Sequence, residues 1–192
     1  MEIHLRNLRL QDLEQMVKWE KNKDPLFADY NFPTYSLREQ KLWYHSKTRY
    51  GKICLAILNE NNVIGYISIR KLNPISKSAE MGIIIRPLYQ NMGVGELAIS
   101  KMLSWFFGEF GYKKMTLYVG KYNKKALCCY DKLGFKPLKE LYMTFENEEV
   151  DLDLPEYADI VRFFKIKNGK IMTLCLQMAI EKDSSSYKER FS

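Results

Sequence analysis

The chain has 192 residues, of which 46% are hydrophobic and 14% aromatic, and its net charge is +7. This composition excludes a disordered chain, and the length allows one domain with a sizeable core. No apolar run approaches the ~20 residues that cross a bilayer, and the first residues lack the apolar core of a signal peptide. We therefore expect one domain at 1–180, a polar tail at 181–192, a cytoplasmic location and no membrane partner.

The charge is unevenly distributed along the chain. Residues 139–159 contain eight acidic side chains and one lysine, so the remainder of the chain carries +14. A basic body suits a polyanionic cofactor. A nucleic-acid-binding protein would also explain the net charge, but the acidic block and the lack of a known nucleic-acid-binding module argue against it. We expect no nucleic-acid partner.

The four cysteines are Cys54, Cys128, Cys129 and Cys175. They form no Cys-x-x-Cys pair and have no histidine at the spacing of zinc ligands. We expect buried free thiols and no metal site.

The N-terminal third of the chain predicts one strand and two helices. Alternating apolar residues at 2–8 indicate a strand, and helical spacing at 10–20 indicates a first helix. A loop at 21–35 is rich in Asn, Asp, Pro and aromatic residues. Ser36 and Glu39 form a capping-box pattern that begins a second helix running toward Arg49.

The rest of the chain alternates strands and helices. Residues 53–58 and 63–70 predict a β-hairpin, and Ala79 to Ile85 predicts a central strand. Further elements are expected as a helix from Val94 to about 108–111, a strand at 115–119, a helix at 123–133 and strands at 141–145 and 171–180. The pattern predicts a mixed α/β fold.

The turn between the central strand and the next helix contains Gln90-x-x-Gly93-x-Gly95. A helix N-terminus has free N–H groups and a positive dipole end, and glycines let an anion approach the backbone. The spacing is neither a Walker loop nor a dinucleotide fingerprint. It predicts a phosphate cradle; the alternative is a glycine turn that merely begins a helix.

A second pattern runs from Asn123 to Phe135, with Ala126, Tyr130 and Gly134 at fixed spacing. Together with the first pattern it resembles the GCN5-related N-acetyltransferase (GNAT) superfamily, whose members carry both motifs in this order. The resemblance extends over nearly the whole chain and implies the acyl-CoA N-acyltransferase fold. Within the superfamily it resembles the branch of ribosomal-protein N-terminal and spermidine acetyltransferases.

The resemblance implies acetyl-CoA as cosubstrate and direct acetyl transfer to a primary amine, without a metal. Backbone groups of Ile84 and Ile85 are then expected to hold the pantetheine arm. The turn is expected to hold the pyrophosphate, and the second helix is expected to lie near the cofactor. The implied cofactor-binding residues of these two segments are Gln90, Asn91, Met92, Gly93, Val94, Gly95, Glu96, Asn123 and Ala126.

Tyr130 matches the tyrosine that lies near the cofactor sulfur in the family. A phenol with pKa near ~10 remains protonated at neutral pH and can therefore give a proton to a thiolate whose conjugate acid has pKa near ~8.5, so Tyr130 is the expected general acid; the alternative is a packing tyrosine. Glu80 resembles a carboxylate of several family branches and is a candidate base, provided that burial raises its pKa. An ion pair is the alternative for Glu80, and Arg86 is expected either to reach a phosphate or to be solvated.

The acceptor is left open between a small cationic amine and a protein N-terminus. The acidic segment at 139–159 and the aromatic loop, with Asp24 and Asp29, favour a cation. A non-catalytic acyl-CoA-binding sensor is the alternative function, and exposed edge strands allow a homodimer.

Overall fold

The fold is built on one eight-stranded sheet. We describe it from a computed structural model for residues 1–147 and 150–183. The strands are β1 His4–Asn7, β2 Ile53–Asn59, β3 Asn62–Asn73, β4 Ser78–Ile85, β5 Lys114–Gly120, β6 Lys136–Thr144, β7 Phe164–Lys167 and β8 Lys170–Glu181; the α-helices are α1 Leu13–Met16, α2 Leu37–Thr48, α3 Val94–Phe107 and α4 Lys124–Lys132.

The strand order is β1-β2-β3-β4-β5-β8-β6, with β7 paired to β8. All neighbours are antiparallel except β4 and β5, which are parallel. The predicted mixed α/β fold is confirmed. Each of the two helices α3 and α4 begins directly after one of the two parallel strands, so both helix N-termini lie at the carboxyl ends of those strands.

The two parallel strands are paired only where they begin. In the described chain, Ser78 pairs with Lys114, Ala79 with Met115 and Glu80 with Thr116. Beyond Glu80, β4 stays paired to β3 and β5 stays paired to β8, so a split opens between them. The carboxyl ends of parallel strands in an open α/β sheet are the usual place for a ligand.

Successive side chains of a strand point to opposite faces, which assigns each residue at the split to a side. Met81 and Leu117 belong to the main core, where they pack with the α3 residues Met102 and Phe106, all at 2% exposure or less. The opposite face carries Glu80, Gly82, Ile84, Thr116 and Tyr118. A second apolar cluster covers part of that face, with Trp19, Phe32 and Tyr66 among its members.

Helix α2 begins as its capping box predicts. The Ser36 Oγ accepts from the Glu39 N–H, and the Glu39 carboxylate accepts from the Ser36 N–H at 2.8 Å. The first helix is shorter than predicted: a 3₁₀ turn at Leu10–Asp12 leads into α1, which ends at Met16. The chain turns there because Trp19 bonds back to Met16 through its N–H and to the Val63 carbonyl through its indole.

The C-terminal strands differ from the predicted ones. Strand β6 begins at Lys136, five residues before the predicted start, and β7 was not predicted. Strands β7 and β8 form a hairpin across Asn168 and Gly169, whose φ angles of 52° and 73° fit a type I′ turn. The Asn-Gly pair was the available signal for this hairpin.

The predictions for the cysteines and for the domain boundary are only partly matched by the described residues. Cys54 and Cys175 are buried free thiols, but Cys128 is exposed on α4 and Cys129 is half-buried against the main core. Strand β8 runs one residue past the predicted domain boundary at 180, and the tail from residue 184 lies outside the described residues. No helix of the described chain is long and apolar enough to cross a membrane.

Candidate active site

The turn before α3 places two residues in the left-handed region, Asn91 with φ 60° and Gly93 with φ 77°. Gly93 is the N-cap of α3 and has no side chain with which to cap it. The amides of the first helical turn, from Val94 onward, therefore lie at a helix end where a helix offers N–H groups to an anion.

The space in front of this turn is open. A Cβ built on Gly93 meets no atom within 4 Å, and one built on Gly95 first meets the Ile85 Cγ1 at 4.0 Å. Asn91, Met92 and Gly93 are exposed, and α3 is 14 residues long. The turn thus has the backbone shape, the room and the helix dipole that a pyrophosphate needs.

Two side chains at the turn are occupied by protein contacts. The Gln90 Nε2 donates to the Ile85 carbonyl at 3.1 Å, which fastens the turn to the end of β4. Arg86 pairs with Glu20, with its Nε 2.8 Å from the carboxylate, and this pair lowers the pKa of Glu20 to about 2. Arg86 is thus in an ion pair, which neither sequence alternative included.

Ile84 and Ile85 lie where β4 borders the split. On one edge they pair with Tyr66 and Gly65 of β3, and their other edge faces β5 across the gap. Gly65 is required here, because an added Cβ would lie 2.7 Å from the Ile84 carbonyl oxygen. The close approach of β3 holds the end of β4 rigid beside the split.

Asn123 has two structural contacts at the start of α4. Its Oδ1 caps the helix by accepting from the Ala126 N–H at 3.1 Å, and its Nδ2 donates to the Tyr30 Oη at 3.3 Å. The helix that carries Tyr130 is therefore joined to the aromatic loop of residues 25–30.

Tyr130 is buried in the main core, with its ring 5.8 Å from that of Phe135. Burial raises the pKa of Tyr130, and nearby Tyr30 and Cys129 raise it further. The phenol therefore stays protonated at neutral pH, as a proton donor must.

Glu80 is 4% exposed and paired twice. Its carboxylate accepts from the Arg70 Nε and from the Lys71 Nζ, each at 2.7 Å. Burial favours the neutral acid, but the hydrogen bonds from Lys71 and Arg70 outweigh it, so the pKa of Glu80 is lowered. The base role was conditional on a raised pKa; that condition is not met, and the alternative, an ion pair, is observed.

The structure adds Tyr122, which sequence reasoning missed. Tyr122 is 8% exposed, its ring lies 5.9 Å from Phe27, and its hydroxyl hydrogen-bonds with Tyr30. Burial raises its pKa, and Tyr30 and Asp29 add to the shift. No local signal marks Tyr122, because its aromatic partners Phe27, Phe145 and Phe164 lie in other segments of the chain.

Part of the acidic segment packs onto the aromatic loop. The Tyr157 Oη donates to the Asp24 Oδ1 at 2.7 Å, and the Asn147 Nδ2 donates to the Pro25 carbonyl at 2.7 Å. Phe145 and Val150 are buried beneath these contacts in a third apolar cluster that includes Tyr122. Burial and the charge of Glu146 raise the pKa of Asp29. Two carboxylates therefore lie near each other beside the aromatic loop.

The predicted site residues thus fall into two groups. The turn residues and the α4 residues Asn123, Ala126 and Tyr130 follow the carboxyl ends of the two split strands. Glu80 lies where the split begins, on the face opposite the core. In the described part of the chain, no group of three or more His, Cys, Asp or Glu side chains is placed to hold a metal ion.

The sequence was compared with models of protein families and with known proteins. Residues 2–136 match the model of the acetyltransferase (GNAT) domain. A spermidine N(1)-acetyltransferase of Vibrio cholerae is 34% identical over 76 residues, which cover 40% of this chain and 44% of that protein. An N-alpha-acetyltransferase of Saccharolobus solfataricus is 26% identical over 147 residues, covering 71% of this chain and 82% of that protein.

Solved structures have the same fold. A spermidine N-acetyltransferase from Vibrio cholerae in complex with CoA and spermine superposes with a TM-score of 0.71 at 23% identity, covering 97% of this chain and 98% of that one. A chimera of that enzyme and hSSAT gives 0.73 at 24% identity, covering 99% and 100%. The match to the family model covers more than half of the sequence, and the chain belongs to the acetyltransferase (GNAT) domain family.

Proposed function

We propose that the protein is an acetyl-CoA-dependent N-acetyltransferase that moves an acetyl group directly to a primary amine. The observation that carries the proposal is the open, left-handed glycine turn at the start of α3, beside a split sheet and a buried tyrosine. The matched segment spans only 44% of the Vibrio cholerae spermidine N(1)-acetyltransferase. The proposed activity and substrate class therefore rest on the geometry of the site.

Acetyl-CoA supplies the thioester. Its pyrophosphate would lie on the backbone of residues 91–96, and its pantetheine arm would run along the free edge of Ile84 and Ile85. Gly93 and Gly95 leave room for the phosphates, and Gln90 positions the turn by holding the Ile85 carbonyl. Asn123 and Ala126 would border the cofactor from α4.

Transfer needs a nucleophilic amine and a protonated leaving group. The neutral amine attacks the thioester carbonyl, the C–S bond breaks, and the departing thiolate takes the Tyr130 proton. The new amide nitrogen releases its extra proton to water, and Tyr130 is reprotonated from solvent. For Glu80 we propose the ion-pair role: a carboxylate with a lowered pKa is a weak base, and the acceptor would lose its proton to water.

The acceptor class remains either a small cationic amine or a protein N-terminus. Asp29 and Glu146 at the aromatic loop support a positively charged acceptor, and the rings of Phe27 and Tyr30 offer faces for a cation. Curated relatives are named for both acceptor classes, spermidine and protein N-termini. The cytoplasmic location and the homodimer stay predictions.

The test is release of free CoA thiol from acetyl-CoA in the presence of single amines: spermidine, an amino sugar and short peptides with free N-termini. Amine-dependent release, with the acetylated amine identified by mass spectrometry, supports the proposal. Binding of acetyl-CoA without release from any amine favours the non-catalytic sensor, and no binding refutes both.

A further inference from the structure

A second pocket lies away from the phosphate turn, where the C-terminal end of α2 meets β3. It is a cavity of about 150 Å³ lined by Ser46, Lys47, Lys52, Ser68, Ile69 and Arg70. Three of these six residues are cations. Its chemistry is therefore opposite to that of the acidic loop region.

The cations have few partners. The Lys52 Nζ donates once, to the Ser46 carbonyl at 2.9 Å. Lys47 is half-buried, and its ammonium lies 5.6 Å from the centre of the Trp43 ring. Within residues 1–147 and 150–183, no carboxylate lies at salt-bridge distance from Lys47 or Lys52.

The remaining lining groups add donors. Arg70 donates its Nε to Glu80, and Arg70 is also one of the residues that line the cavity. Ser68 is 7% exposed, and its hydroxyl makes only a long bond of 3.4 Å to the Gly82 carbonyl. Lys52 is exposed and Arg70 already has Glu80 as its counter-charge, so the half-buried Lys47 is the cation whose partial burial without a counter-charge is costly. A bound anion would supply that counter-charge.

We propose that Lys47, Lys52, Arg70 and Ser68 form a binding site for an oxyanion, either a carboxylate or a phosphate group. The volume accommodates one such group, and the donors are those that bind oxyanions in charge-assisted hydrogen bonds. Burial lowers the pKa of Lys47, with Arg70 and Lys52 adding to the shift and Cys54 and Glu146 opposing it; a bound oxyanion would reverse that lowering.

Two sources of the group are open. Ser68 and Arg70 lie on the same sheet face as Glu80, so the oxyanion could be carried by the acceptor. It could equally be a separate small ligand. Only the first source depends on the proposed acetyltransferase function.

The binding test needs no catalysis. Inorganic phosphate is titrated at constant ionic strength, and the indole N–H signal of Trp43 is followed by NMR, because that ring faces the Lys47 ammonium. We expect a saturable shift with half-saturation on the order of 10 mM. Lys52→Met, which keeps the reporter pair intact, should raise the half-saturation concentration about tenfold.

Lys47→Met tests the same site by calorimetry, with the same loss of affinity expected. Lys41→Met is the matched control, since Lys41 is exposed on α2, and it should leave phosphate binding unchanged. No saturable shift in the wild type, or unchanged affinity in both Lys47→Met and Lys52→Met, overturns the site whether or not the protein acetylates amines.

The source is identified with paired acceptors, peptide amides with aspartate or asparagine in the second position. A KM advantage for aspartate that Lys52→Met removes assigns the oxyanion to the acceptor. Phosphate binding without any difference between the peptides assigns it to a separate ligand.

Discussion

The cofactor end and the acceptor end of the split sheet differ in how they are built. The cofactor end is local: the turn, its glycines and the first turn of α3 lie within residues 86–96. The proposed acceptor end is assembled from distant segments, the loop at 25–30 and the chain after β6. A local site leaves a sequence pattern, whereas an assembled site leaves only unexplained charges and aromatic residues.

The largest effect should come from breaking the local site. Gly93→Glu places a side chain and a negative charge in the open space before α3, and we expect acetyl-CoA affinity to fall at least ~100-fold, measured by calorimetry. A non-glycine residue in the left-handed region also costs about 1–2 kcal/mol.

Gly111→Glu is the control that distinguishes backbone strain from loss of the phosphate site. Gly111 has φ 73°, and an added Cβ meets no atom within 4 Å, but it lies in the loop between α3 and β5. It should lose similar stability and keep acetyl-CoA binding. Equal loss of binding in both variants would contradict the phosphate cradle.

Tyr130→Phe should lower kcat about 100-fold, the low end of what a general acid contributes, with acetyl-CoA affinity unchanged within threefold. Because burial raises the pKa of Tyr130, the wild type should show no loss of rate from its ionisation below about pH 10. Tyr50→Phe, at a residue 93% exposed, is the control. An undiminished kcat would leave Tyr130 as a packing residue.

Glu80→Gln tests the ion pair by stability. We expect a loss of about 1–2 kcal/mol at pH 7, moderated because water screens the half-exposed Arg70 and the exposed Lys71. The lowered pKa of Glu80 means that its stabilisation is complete above the unfolded pKa near ~4.3 and fades as the pH falls through the lower folded value.

Urea unfolding at several pH values measures how much Glu80 contributes to the free energy of unfolding. The difference between the wild type and Glu80→Gln should therefore shrink below about pH 4. Glu181→Gln, at a surface pair with Lys114, should cost less at pH 7. A fall in kcat larger than ~100-fold without loss of stability would instead support Glu80 as the base.

The smallest effect should come from the assembled acceptor end. Tyr157→Phe keeps the buried ring and removes the hydrogen bond to Asp24, so the aromatic loop should loosen. Burial and Asp24 raise the pKa of Tyr157 to about 12, so this donor is protonated throughout the assay range. We expect the amine KM to rise about 3- to 10-fold, with kcat and acetyl-CoA affinity unchanged.

Tyr50→Phe is again the control, and hydrogen exchange of residues 25–30 reports the loop independently of activity. Unchanged exchange and unchanged KM would show that the Tyr157 contact does not position the loop.

The sequence predicted most of the elements that depend on their own residues, with the β7–β8 hairpin and its Asn168-Gly169 turn as the exception. The capping box of α2, the hairpin of β2 and β3, and the helix α4 follow from local hydrogen bonds and periodicity. The early end of α1 does not follow from local residues, because it depends on the hydrogen bond from the Trp19 indole to the distant Val63 carbonyl. The lowered pKa of Glu80 fits the ion-pair alternative, because the hydrogen bonds from two cations of the neighbouring strand outweigh its burial.

The central claim is that acetyl-CoA occupies the split, with its pyrophosphate on the turn before α3. The most direct measurement is backbone amide protection by hydrogen exchange with and without acetyl-CoA. We predict the largest gain in protection at residues 91–96, followed by the free edge at 81–85, and little change at the hairpin of β7 and β8. Protection centred elsewhere, or no protection at saturating acetyl-CoA, would contradict the claim.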